Sequence, residues 1–138
     1  MLAAREHTRA ELRRKLGGRR EATPEAVEAV LDALAARGLQ SDARYAEQYL
    51  AMRVARGYGP VRIRAELRER GVESALIDDW LDERDPAWRE RLRAVACKRF
   101  GAAAPADYKE RARRARFLEQ RGFGTELIRR ELFDHDDE

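Results

Sequence analysis

Twelve residues decide the fold of this chain: Arg56-Gly57-Tyr58-Gly59-Pro60-Val61-Arg62-Ile63-Arg64-Ala65-Glu66-Leu67. A second copy follows 65 positions later as Arg121-Gly122-Phe123-Gly124-Thr125-Glu126-Leu127-Ile128-Arg129-Arg130-Glu131-Leu132, and seven of the twelve residues are identical. A weaker copy aligns residues 1–16 with residues 117–132 and shares five identities with them. The chain therefore contains a degenerate internal repeat, which is typical of proteins built from stacked supersecondary units.

The repeated stretch has the composition of a tight corner between two helices. A glycine after an arginine allows the positive φ that ends one helix, and a small residue two positions later caps the next helix. The aromatic residue between them is expected to pack against the corner, and His7 holds that position in the weaker copy, followed by Thr8 as the cap. The structural corner residues are Gly57, Tyr58, Gly59, Gly122, Phe123 and Gly124, and we expect Ile63, Leu67, Ile128 and Leu132 to face inward.

Helix signals extend over the rest of the chain. Thr8 to Glu11 has the pattern of a capping box, and Thr23-Pro24 and Asp85-Pro86 each place a capping side chain before a proline at the first helical position. A glycine in the left-handed conformation is expected to end a helix at Gly17, Gly38, Gly57, Gly71, Gly101 and Gly122. No segment alternates with a period of two, so the sequence predicts an all-α protein with helices at 8–16, 24–37, 42–56, 60–70, 74–83, 86–100, 105–121 and 124–133.

Length and composition exclude several classes of protein. The chain has 138 residues, too few for two substantial domains, and its single cysteine, Cys97, permits no internal disulfide. No apolar run approaches the length of a membrane span or a signal-peptide core. We therefore expect a reduced, soluble, cytoplasmic protein with no membrane contact. Of its 29 basic residues all but Lys15, Lys98 and Lys109 are arginine, but the 26 acidic residues leave a net charge of only +3.

The sequence offers few residues that could catalyse a reaction. His135 lies in an acidic tail, His7 belongs to a corner, and Cys97 follows Val95 and Ala96 on an amphipathic helix, where we expect a buried thiol. Two histidines and one cysteine that lie far apart offer no zinc-binding spacing. The Gly57-Tyr58-Gly59 sequence follows a helix and lacks the length of a phosphate-binding loop. We expect a protein without catalytic residues, metal or cofactor.

Three stretches in order resemble the bacterial RecX regulatory proteins: Arg5 to Leu16, Gly38 to Ala46, and Arg56 to Gly59 with its following Ile63, Glu66-Leu67 and Arg70-Gly71. The resemblance covers residues 1 to about 133. It implies three tandem three-helix repeats, binding to the RecA filament on DNA, and inhibition of RecA's ATPase, strand-exchange and coprotease activities in recombination and the SOS response. It also implies weak DNA binding in some members and no catalysis.

These inferences together predict an elongated, curved array, acting as a monomer. The repeats are expected at 1–38, with the first incomplete at its N-terminus, at 39–84, and at 85–138 with the acidic tail. One departure from the family pattern is helix 86–100, which lies between the second repeat and the helix that precedes the Arg121 corner, so the phase of the third repeat stays open.

Recurrent arginines are the candidate binding residues. Arginine returns at the same place in each copy, so the side chains could meet a repeating acidic or phosphate-bearing partner; complementing helix dipoles is an equally good explanation. The partner-binding candidates are Arg5, Arg13, Arg14, Arg56, Arg64, Arg68, Arg121, Arg129 and Arg130. An alternative function is non-specific nucleic-acid binding by a helix-turn-helix type protein, and its candidates are Arg111, Arg113, Arg114 and Arg116, which could instead form a solvated face.

Overall fold

The computed structural model of the chain describes residues 6–19 and 22–134. In that part it contains eight α-helices and no strand, which confirms the predicted all-α class. Predicted and observed helix bounds agree within three residues. The helices are α1 (Arg9–Gly17), α2 (Pro24–Ala36), α3 (Asp42–Ala55), α4 (Pro60–Glu69), α5 (Ser74–Trp80), α6 (Ala87–Phe100), α7 (Tyr108–Arg121) and α8 (Thr125–Leu132).

Side-chain caps fix where these helices begin. Thr8 forms the predicted capping box with Glu11, and Thr23 accepts a hydrogen bond from the amide of Ala26. The prediction for α6 is wrong by one residue, because Pro86 is the N-cap rather than the first helical residue. Asp85 still contributes to this helix start, since its Oδ1 accepts from the amide of Ala87 at 2.9 Å.

Glycines end most of the helices as predicted. Gly38, Gly57, Gly71 and Gly122 have positive φ, and the residue after each donates its amide to the carbonyl five residues earlier, the hydrogen bond of a Schellman motif. Gly101 also has positive φ. The prediction for Gly17 is wrong: it lies in the last turn of α1, and Gly18 at the C-cap has a φ of −76°.

Two compact units make up the described chain. The first comprises the residues up to Leu50 together with Glu66–Trp80, and the second comprises Ala51–Ala65 together with the residues from Leu81 onward. The core of the first unit contains an apolar cluster of Leu12, Val27 and Leu31 between α1 and α2. In the second unit the ring of Trp88 meets the ring of Phe123 edge-on at 6.5 Å.

The predicted burial of residues is confirmed at the corners and wrong at the cysteine. Ile63, Leu67, Ile128 and Leu132 are all buried, as their inward-facing places in the repeat predicted, and His7 is buried as well. Cys97 is exposed rather than buried. Helix α6 buries Trp88 and Leu92, and Cys97, five residues beyond Leu92, lies off that buried face.

Among the described residues, no helix is long and apolar enough to span a bilayer.

Candidate partner-binding surfaces

The two full copies of the corner have the same backbone geometry. Gly57 and Gly122 have φ values of 86° and 96°. In both copies the amide of the aromatic residue, Tyr58 or Phe123, donates to the carbonyl five residues earlier at 3.1 Å. The amide of the following isoleucine donates to the carbonyl of the small capping residue four positions earlier, again at 3.1 Å. The sequence repeat is therefore a structural repeat.

These two corners also pack directly on each other within the second unit. The amide of Gly59 donates to the carbonyl of Arg121 at 2.8 Å, and the amide of Val61 donates to the carbonyl of Gly122 at 2.9 Å. In return, Nη1 of Arg121 donates to the carbonyl of Arg56 at 3.2 Å. A side chain at Gly59 would place its Cβ 2.6 Å from the backbone of Gly122, so the contact requires glycine.

Tyr58 has surroundings that sequence reasoning missed. Its half-buried ring lies beneath three guanidinium groups, those of Arg53 at 3.8 Å, Arg62 at 4.5 Å and Arg121 at 4.9 Å from the ring centroid. Arginine stacked on an aromatic face loses mobility and keeps its edge available for hydrogen bonds. Tyr58 therefore holds arginine side chains in place in addition to packing at the corner. The only feature of the sequence that pointed to this role was the arginine content around the repeat.

A second aromatic and charged group, in the first unit, was also missed. The rings of Tyr45 and Tyr49 stack with centroids 5.8 Å apart. The hydroxyl of Tyr49 donates to Glu66 Oε1 at 2.9 Å, and Nη1 of Arg70 donates to the hydroxyl of Tyr45 at 3.3 Å. These contacts join α3 to α4 and to Arg70 just beyond it, which indicates a structural role.

The three arginines that share one place in the repeat make different local contacts. Arg13 pairs with Glu28 of α2, with Nε 2.7 Å from Oε2. Arg64 donates through Nη2 to the backbone carbonyl of Leu81 at 2.9 Å. Arg129 pairs at 2.7 Å with the glutamate three residues earlier on α8. Arg13 and Arg129 keep about half of their side-chain surface exposed, 49% and 51%, so both can also reach a partner.

The other partner-binding candidates differ in their exposure. Arg14, Arg56 and Arg68 are exposed. Arg130 is exposed and lies 3.5 Å from a carboxylate oxygen of α8, and Arg121 is partly buried within the paired corners. Arg5 lies outside the described residues. Partner binding by all nine candidates stays a prediction.

The candidate DNA-binding arginines of α7 are less available than their number suggests. Arg113 and Arg114 share the carboxylate of Glu110, at 3.1 and 3.2 Å, and only 11% of the Arg114 side chain is exposed. Nε of Arg111 is buried without a hydrogen-bond partner. Arg116 is exposed. DNA binding at these four positions stays a prediction.

Arginines also determine the electrostatics of several carboxylates. Hydrogen bonds from Arg13 first and Arg9 second lower the pKa of Glu28 to about 2, against the opposing effect of desolvation. Burial raises the pKa of Glu131, but hydrogen bonds from Arg93 and Arg89 outweigh it, so the net shift is downward. These carboxylates are ionised at neutral pH and serve as fixed counterions for arginine.

Metal binding finds no geometric support in the part of the chain that is described. There, no three His, Cys, Asp or Glu side chains come together in a group that could hold an ion. The arrangement of arginines and corners is suited to binding an anionic partner surface.

Comparison with known families identifies relatives of this chain. Residues 41–81 match the family model described as RecX, second three-helix domain, and residues 89–132 match RecX, third three-helix domain. The chain is 48% identical over 140 aligned residues to the regulatory protein RecX of Halorhodospira halophila, covering 100% of this chain and 86% of that protein. It is 46% identical to the regulatory protein RecX of Pseudomonas savastanoi pv. phaseolicola, covering 96% of this chain and 84% of that protein.

Solved structures have the same fold. A crystal structure of RecX from Lactobacillus salivarius superposes with a TM-score of 0.76 at 21% identity, covering 92% of this chain and 84% of that one. A crystal structure of another regulatory protein RecX gives a TM-score of 0.77 at 24% identity, covering 97% of this chain and 68% of that one. At such identities the likeness concerns the fold alone.

Proposed function

Because this chain belongs to the RecX family of regulatory proteins, we propose that it binds the RecA filament on DNA and inhibits RecA's recombinase, ATPase and coprotease activities. The observation that carries the proposal is identity of nearly one half over the whole chain to proteins named as RecX. The protein acts by binding, as a monomer without catalysis of its own, in the cytoplasm where the filament forms.

The arginines at equivalent places in the repeat support this mode of action. A filament presents the same surface at regular intervals, so a ligand with repeated cationic groups can make several equivalent contacts with it. Arg64 and Arg129 occupy the same place in the two best-matched copies, and Arg13 occupies it in the weaker one. Beside their local partners, Arg13 and Arg129 keep about half of their side-chain surface exposed, and Arg64 is partly exposed.

The first test is the double substitution Arg64→Ala with Arg129→Ala. We expect it to relieve inhibition of DNA-dependent ATP hydrolysis by RecA, with at least about a tenfold higher concentration needed for half inhibition, since each arginine contact with an anion contributes more than 1 kcal/mol. The matched control is Arg19→Ala with Arg37→Ala, which removes two exposed arginines outside the repeated place. Unchanged inhibition by a double variant of normal helicity would remove these residues from the binding surface.

A second measurement separates filament binding from plain DNA binding. Fluorescence anisotropy compares affinity for a preformed RecA filament with affinity for bare single-stranded DNA across a salt series. We expect tighter binding to the filament, because carboxylates such as Glu110 neutralise part of the α7 arginines that would contact phosphates. Equal affinities would favour the nucleic-acid-binding function with Arg111, Arg113, Arg114 and Arg116 as its site.

A further inference from the structure

The second unit contains a cavity with a cationic lining. Its volume is about 490 Å³, within the range of small-molecule sites. No aspartate or glutamate lines it. Five cations do: Arg56, Arg91, Lys98, Arg99 and Arg121. Arg56 and Arg121 belong to the paired corners and to the predicted filament contacts, but neither feature accounts for Arg91, Lys98 and Arg99.

Aromatic rings rather than carboxylates hold three of these cations. The guanidinium of Arg91 lies 4.5 Å from the ring centroid of Trp88. Those of Arg99 and Arg121 lie 5.4 and 5.3 Å from the ring centroid of Phe117. Stacking on a ring orients a guanidinium without neutralising its charge, because the ring contributes only a quadrupole.

Ion pairing distinguishes these cations from other arginines of the chain. Within the described residues no ion pair joins any of the five to a carboxylate, whereas Arg9, Arg13, Arg93 and Arg113 each have one. Positive charge without a counterion in a concave site produces a strong local potential, because the low-dielectric walls focus the field. The electrostatics of the cavity therefore favour an anionic ligand.

The concentration of charge identifies the class of anion. We propose that this cavity binds the polyphosphate group of a small ligand, such as a nucleoside triphosphate. Guanidinium groups match phosphate oxygens in two-point contacts, and a polyphosphate places several negative charges in one compact group. A single nucleic-acid strand distributes one charge per nucleotide along its length and uses fewer of the five cations at once. The apolar part of the lining, Val54, Ala94 and Val95, leaves room for a nucleoside.

The proposal is tested on the full chain without RecA, so its outcome is independent of filament binding. Isothermal titration measures the binding of ATP, of inorganic tripolyphosphate and of a short oligothymidylate. The cavity variant is Arg56→Gln with Lys98→Gln, because both residues are exposed and neither stacks on a ring. The control is Arg19→Gln with Arg37→Gln, which removes the same charge from exposed positions elsewhere.

We expect saturable binding of one ATP per chain, weakened about tenfold or more in the cavity variant and by less than about twofold in the control. If tripolyphosphate binds as tightly as ATP, the proposal is supported and recognition is assigned to the phosphates alone. If ATP binds more tightly than tripolyphosphate, the proposal is supported and the nucleoside contributes to binding. The proposal is overturned if neither polyphosphate saturates, if both double variants weaken binding equally, or if the cavity variant weakens only the oligonucleotide.

Discussion

Gly122 lies where the two paired corners approach each other closely. Its φ of 96° is unfavourable for any residue with a Cβ, and a Cβ there would lie 2.2 Å from the Cβ of Arg62 and 2.8 Å from its amide nitrogen. The backbone of Arg62 cannot move away easily, because the preceding residue, Val61, donates its amide to the carbonyl of Gly122. Conformation and packing therefore require glycine independently.

The substitution Gly122→Ala is expected to lower the free energy of unfolding by about 2 kcal/mol or more, from left-handed strain plus the steric conflict. Gly38→Ala is the matched control, because Gly38 ends α2 with the same Schellman hydrogen bond, has a φ of 70° and has nothing within 4 Å of its added Cβ, so it should cost only the left-handed strain of about 1–2 kcal/mol. Urea denaturation followed by circular dichroism measures both. Equal losses would mean that the close approach of the two corners contributes nothing.

At the scale of helices, the contact between α1 and α2 combines an apolar cluster with a shared ion pair. Arg9 and Arg13, one turn apart on α1, both reach the carboxylate of Glu28 on α2, at 3.3 and 2.7 Å. Neither interaction could be predicted from the sequence, because the register of two packed helices is set by their side chains in three dimensions. The residue types alone were consistent with many other pairs.

The lowered pKa of Glu28 makes this helix contact dependent on pH. Its folded-state pKa of about 2 lies below the ordinary value of 4.5, so ionised Glu28 stabilises the fold above pH 4.5 and loses that contribution as the pH falls toward 2. Carboxyl carbon NMR should give a Glu28 titration midpoint near 2, and Arg13→Ala should move it upward. A midpoint near 4.5 in the unchanged protein would show that the pairing with Arg13 does not persist in solution.

Local chemistry explains which helix features the sequence predicted and which it did not. Helix starts at Thr8 and Thr23 and helix ends at Gly57 and Gly122 were predicted because a cap uses atoms a few residues apart. The grouping of three arginines around Tyr58 was not predicted, because Arg121 reaches that ring from a distant part of the chain. The candidate cavity was missed for the same reason: its cations come from α3, α6 and α7 and their flanking residues.

At the scale of the whole molecule, two helices connect the two compact units. The boundary between the units divides α3 after Leu50 and α4 after Ala65, so each unit contains part of both helices. The separate parts are shorter than the length at which isolated helices are stable in water. If one unit unfolded alone, the folded unit would keep only these short parts of α3 and α4. Their low stability favours a single cooperative unfolding transition of both units.

One tryptophan in each unit allows this cooperativity to be measured. Trp80 belongs to the first unit and Trp88 to the second, so Trp88→Phe and Trp80→Phe each leave one fluorescent reporter, Trp80 being 39% exposed and Trp88 2%. Within each variant we expect the fluorescence midpoint in urea to coincide with the midpoint from far-ultraviolet circular dichroism. Comparing two probes on the same variant removes the effect of the substitution on stability, which matters for Trp88 because its indole donates to the carbonyl of Asp82 at 3.0 Å. Midpoints that separate in either variant would show that the units unfold independently despite the helices they share.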